Sequence, residues 1–119
     1  MNLIELIEDY KKMVQICNSI DYSDKKSVKN NNKAVKRMYQ IVNIIKEEFG
    51  ENGIYEFGKL LDNHDDRTKL WASVQMLEKM AVDSITEQKA LTIIKKEALQ
   101  SIGMEYWLKS YQEKKKNAT

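Results

Sequence analysis

The chain has one histidine, and it stands among acids: Asp62-Asn63-His64-Asp65-Asp66. An imidazole with carboxylates in the same turn is raw material for a metal site or a general base. A hard cation needs about six oxygen ligands, however, and an Asp just ahead of a helix satisfies the free N–H groups of its first turn. The cluster therefore reads as helix capping by Asp65 or Asp66, and no metal or cofactor is expected. Cys17, the only cysteine, has no local motif linking it to His64 for nucleophilic catalysis. It falls in an apolar stripe, which makes it a buried, inert thiol. Gly50 and Gly53 lack the Lys-Ser/Thr sequel of a phosphate loop. Glu47-Glu48 and Asp65-Asp66 are sequence neighbours, whose side chains point about 100° apart on a helix and cannot readily flank one substrate. The chemistry expected of these residues is not enzymatic.

Composition points the same way. The 119 residues are 42% hydrophobic and 32% charged, the balance of one domain with one core. At this mass roughly 6,700 Å² of folded surface is expected against roughly 20,000 Å² for the extended chain. No apolar run approaches the ~18–20 residues of a membrane span, and Glu5, Glu8 and Asp9 interrupt the opening turns where a signal peptide would be apolar. A single cysteine fits a reducing compartment, so a cytoplasmic location is expected. Zero prolines and four glycines favour helices. Twenty basic against eighteen acidic residues is not the footprint of a protein that neutralises phosphates, so nucleic acid is the disfavoured partner. The one dense basic run, Lys114–Lys116, reads as a solvated end, giving a helical domain over 1–113 and a disordered basic tail over 114–119.

Capping residues and apolar spacing mark the elements. Asn2-Leu3-Ile4-Glu5 has the form of a capping box, and Leu3, Leu6, Ile7, Tyr10, Met13, Val14, Cys17 and Ile20 then recur at threes and fours. Asp21 to Asp24 supplies a turn. Residues 25–33 are polar and Asn-rich, able to be helical if they face solvent. Val35, Met38, Ile41, Val42, Ile45 and Phe49 form the next stripe, which Gly50 ends. Glu51-Asn52-Gly53 reads as a tight connection before a short helix carrying Ile54, Phe57, Leu60 and Leu61. After the acidic turn comes a helix with Leu70, Trp71, Val74 and Leu77. Ser84-Ile85-Thr86-Glu87 has the form of a second capping box, opening a helix with Leu91, Ile94, Ala98 and Leu99. The last helix carries Met104, Trp107, Leu108 and Tyr111, with Trp107 expected in the core. No stretch alternates with period two, so the fold class is all-α.

Short links make consecutive helices antiparallel, giving about three hairpins. Two architectures satisfy this, a right-handed α-α superhelix and a closed helical bundle. The segment Leu60-Leu61-Asp62-Asn63-His64-Asp65-Asp66-Arg67-Thr68-Lys69-Leu70-Trp71-Ala72-Ser73-Val74-Gln75-Met76-Leu77 resembles a HEAT repeat. It has two leucines closing one helix, an acidic turn, Thr68 and Lys69 opening the next, the small pair Ala72-Ser73 and the closing Leu77. Asp66 stands where such repeats usually have proline, and Lys69 where they have arginine. From about Leu6 to about Tyr111 the chain also looks like the DUF2019 family of small bacterial helical proteins. That likeness rests on Asn31 or Asn32, the LLDNHDD turn, Trp71-Ala72-Ser73 and Gly103-Met104-Glu105-Tyr106-Trp107-Leu108. The resemblance implies a HEAT-like superhelix and carries no catalytic residue with it.

In such stacks the second helix of each hairpin lines the concave side. The expected partner-binding residues are then Arg37, Gln40, Trp71, Gln75 and Tyr106, with Lys33 and Glu78 beside them; mixed charge around aromatics suits a protein partner. The expected function is a non-enzymatic protein-interaction module, in its most concrete form an immunity-type protein that occludes a toxin domain, by analogy with small orphan helical proteins. The alternative is a HEAT-like DNA-binding protein using Lys33, Lys36, Arg37 and Lys46, a stripe that Glu47, Glu48 and Glu51 dilute.

Overall fold

Local capping chemistry begins each of the first helices in the computed structural model, which describes residues 1–117. Among the described residues every regular element is helical and no strand occurs. Helix α1 spans Leu3–Asn18, and Asn2 caps it: its side chain accepts from the Glu5 backbone N–H at 2.8 Å, while the Glu5 carboxylate accepts from the Asn2 N–H at 3.0 Å. Helix α2 spans Lys25–Ile44, with the Asp24 carboxylate accepting from the Lys26 N–H at 3.0 Å. The Asn-rich stretch is thus helical, with Asn30 and Asn32 facing solvent. A π-helical turn over Ile45–Phe49 continues α2, and Gly50 at φ +55° ends it. Helix α3 follows over Gly50–Gly58, then a 3₁₀ turn over Lys59–Asp62, α4 over Asp66–Lys79, α5 over Ser84–Ala98 and α6 over Ile102–Asn117.

Four local expectations need correction. Glu51-Asn52-Gly53 is helical, the first turn of α3. Gly53 lets α3 pack closely on the π-turn: a Cβ there would lie 2.6 Å from Phe49 Cβ. The cap of α5 is Asp83, which accepts from the Thr86 N–H at 2.7 Å, and Ser84 is already inside the helix. Glu87 is then released from capping and bonds α6 instead. Leu99 caps the end of α5 at 88% exposure and is no part of the core. Finally, α6 runs through Lys114–Lys116, so residues 114–117 are helix where a disordered tail was expected. Lys115 pairs there with Glu87. Residues 118–119 lie outside the described residues.

Helix α4 is the centre of the fold, packing against α1, α2, α3 and α5. Its burial is not a stripe: Thr68, Leu70, Ala72, Ser73, Val74, Gln75 and Met76 are all buried. The main core joins Leu6, Tyr10 and Val14 of α1 to Met38, Ile41 and Val42 of α2, Phe57 of α3 and Met76 of α4. The Tyr10 and Phe57 rings meet edge to face, centroids 4.9 Å apart, a favoured aromatic geometry. A second cluster of Leu70, Val74 and Ile94 receives Met104, Trp107 and Leu108 of α6. Helix α6 contributes no fully buried residue, so Trp107 is half-buried where a core position was expected. Cys17 is likewise half-buried, and burial pushes its thiol pKa up.

The acidic turn holds α4 to α1. Asp65 accepts from the Thr68 N–H at 3.2 Å, the Thr68 hydroxyl at 2.6 Å and Gln15 Nε2 at 3.2 Å. These bonds, the Thr68 hydroxyl foremost, hold its carboxyl below the ordinary value of 3.8. Because the folded value is the lower one, the stabilisation is full above the unfolded pKa and vanishes as pH falls through the folded one. Asp65→Ala should lower stability by about 1–2 kcal/mol at neutral pH. The gap to wild type in urea midpoints should narrow below about pH 4; a gap that stays constant down to acid would contradict the capping role.

Candidate protein-binding face

Met38 and Tyr39 are neighbours on α2, about 100° apart around the helix. Met38 is fully buried, which turns Tyr39 to the rim beside α4. There its hydroxyl donates to Glu78 Oε2 at 3.1 Å. From the other side Trp107 of α6 donates its indole Nε1–H to Glu78 Oε1, also at 3.1 Å. Trp107 stacks on Tyr111, four residues on, with centroids 5.2 Å apart and planes 7° from parallel. The Tyr111 hydroxyl donates to Glu87 Oε2 of α5 at 2.8 Å. The Lys79 ammonium lies 5.8 Å from the centre of the Tyr39 ring, within cation–π range. Side chains of α2, α4 and α6 thus meet in one aromatic and carboxylate row on the surface.

Both phenols act as donors at neutral pH. Burial first, then the Glu78 charge and its hydrogen bond, raise the Tyr39 pKa, partly opposed by the Gln75 side chain. Burial and Glu87 push Tyr111 up to about 12. Lys115 and then Tyr111 hold Glu87 below its usual range. Carboxylates here are anchored by neutral O–H and N–H groups or by a lysine.

The five residues expected on the face scatter. Trp71 is half-buried against the main core, two turns before Glu78 on the same side of α4. Gln40 is exposed on α2. Gln75 is fully buried and cannot touch a partner: its Oε1 accepts from the Tyr10 hydroxyl at 2.8 Å. Arg37 turns the other way, toward α1, where its Nε donates to Asp9 Oδ2 at 3.0 Å. Tyr106, 74% exposed, stands over Ile102, one turn back and 87% exposed, on the outer side of α6. Glu78, expected beside the face, is joined there by Tyr39, Trp107 and Tyr111. Tyr39 flanks its apolar stripe, a signal visible in the sequence, whereas Trp107 and Tyr111 lie within the stripe of the last helix and read there as packing residues.

Elsewhere the surface offers little chemistry. His64 is exposed, and its neighbour Asp65 is committed to capping. Among the described residues no group of three or more His, Cys, Asp and Glu side chains is placed to hold a metal ion. A groove of about 520 Å³ runs between α3 and α5, lined by Ile54, Tyr55, Val82 and Ile85 and crossed by the Lys89–Asp62 ion pair. A notch of about 480 Å³ opens between α4 and α6, lined by Leu77, Glu78, Lys79, Trp107, Ser110, Tyr111 and Lys114. Comparison with protein-family models, curated proteins and solved structures finds no match to the chain.

Proposed function

We propose that this chain is a non-enzymatic, cytoplasmic protein-interaction module, a HEAT-like α-α superhelix that binds its partner along α2, α4 and α6. The observation that carries the reading is the row Tyr39–Glu78–Trp107–Tyr111. Large aromatic rings are held rigid by their own hydrogen bonds yet left at the surface, which is the composition of interface anchors. The amount of surface agrees. The chain exposes 7,923 Å², roughly 1,200 Å² more than a monomer of its mass is expected to expose, and a standard interface takes about 800 Å² from each partner. An immunity-type protein that occludes a toxin domain is the most concrete form of this proposal. DNA binding is the weaker reading, since Arg37 is spent on Asp9 and the net charge is only +2.

Photo-crosslinking in the native cell tests the face. With p-benzoylphenylalanine in place of Ser110, inside the notch, one protein adduct is expected. The same group in place of Tyr22, in the exposed turn before α2, should give none. Equal adducts from both positions, or nucleic acid as the species captured at 110, would remove the proposal.

A further inference from the structure

The α4–α6 notch has a chemistry more specific than the face around it, and we infer that it receives a carboxylate side chain from an acidic segment of the partner protein. This rests on the protein-binding reading above. Lys79 and Lys114 line the notch together with the Trp107 indole and the Ser110 hydroxyl side chain. Neither lysine lies within ion-pairing distance of an acid among the described residues. The one acid that lines the notch, Glu78, already has an oxygen bonded to Tyr39 and the other to Trp107. The Lys79 ammonium reaches toward the Tyr39 ring, and with Lys114 it sets two lysines against one carboxylate among the residues lining the notch, a net positive charge complementary to an acid.

The indole adds the second half of the recognition. Trp107 stacks on Tyr111 through one face and is half-buried, so an aliphatic or aromatic neighbour of the incoming acid can pack on what it leaves exposed. A phosphate backbone fits less well. It needs a track of cations, whereas Glu78 lines the notch itself and the Lys115 charge next to Lys114 is taken up by Glu87.

The test is a panel of random twelve-residue peptides displayed on phage and panned against the full chain. Enriched peptides are then made and titrated while the Trp107 indole N–H is followed by NMR. The expected pool carries Asp or Glu beside an aliphatic or aromatic residue and moves the Trp107 signal. It should lose roughly tenfold in affinity when that acid becomes its amide, and again with Lys79→Glu/Lys114→Glu. Both lysines are exposed, and Lys79→Gln/Lys114→Gln, with intermediate loss, separates charge from misfolding. Peptides that move Trp107 but are basic or neutral, or that keep their affinity for the charge-reversed variant, overturn the inference and leave the face standing. An empty pool, or peptides that leave Trp107 unmoved, overturn both. A mixed-sequence 20-base-pair duplex that binds in place of the peptides, with the same lysine dependence, overturns both as well.

Discussion

Gln75→Ala is expected to lower the free energy of unfolding by roughly 2–4 kcal/mol, the range for a buried truncation that also orphans a polar partner. Gln75 is 0% exposed, and its Oε1 is the acceptor for Tyr10, which is itself 0% exposed. Burial holds the Tyr10 phenol well above its ordinary pKa, so it remains a neutral hydroxyl that must donate to something. Removing the amide leaves a void and a buried hydroxyl without the acceptor it has in the native fold. Tyr10→Phe/Gln75→Leu removes both polar groups at nearly constant volume and should recover most of the loss. Gln40→Ala, on the solvent side of α2, should stay within about 0.5 kcal/mol of wild type. Urea unfolding followed by circular dichroism gives all three values. A Gln75→Ala midpoint equal to wild type would mean that this side chain lies on the surface after all.

Gly53→Ala should destabilise by about 1–3 kcal/mol, although alanine in a helix normally gains about 1 kcal/mol over glycine. The sign reverses because of what the new methyl would meet: Phe49 Cβ at 2.6 Å, Ile45 Cγ2 at 2.8 Å and the Ile45 backbone oxygen at 2.9 Å. A backbone oxygen and a Cβ cannot rotate away, so α3 itself must move off the π-turn. Gly103→Ala is the comparison. Its nearest neighbour would be Ser101 Oγ at 3.9 Å, and the change should be neutral or stabilising by up to about 1 kcal/mol. Thermal unfolding of the pair reads the difference directly. Equal melting temperatures for Gly53→Ala and wild type would show that α3 is free to shift.

What lies between the two ends of that comparison is the reach of local information. Asn2 with Glu5, Gly50 at the end of the second stripe and Asp65 ahead of α4 all do what their neighbours within one turn suggest. A cap is a bond between a side chain and a backbone N–H two or three residues away, and nothing distant competes for it. The second expected box failed for the same reason in reverse. Asp83, one residue earlier, reached the Thr86 N–H, and the Glu87 carboxylate found Lys115 and Tyr111, which no local pattern could foresee.

The amino-acid order alone determined that the chain is helical, where α1, α4 and α6 begin and which stripes turn inward, because turns of helix close within four residues and apolar periodicity is read along one element. It could not determine the surroundings of α4. A stripe assigns one buried side, whereas a helix enclosed by several others also buries its polar residues. Gln75 is taken inside by a tyrosine 65 positions away. Only the packing of α2 and α6 on either side of Glu78 brought the aromatic row into being, since hydrogen bonds across 29 and 39 residues depend on where whole helices come to rest.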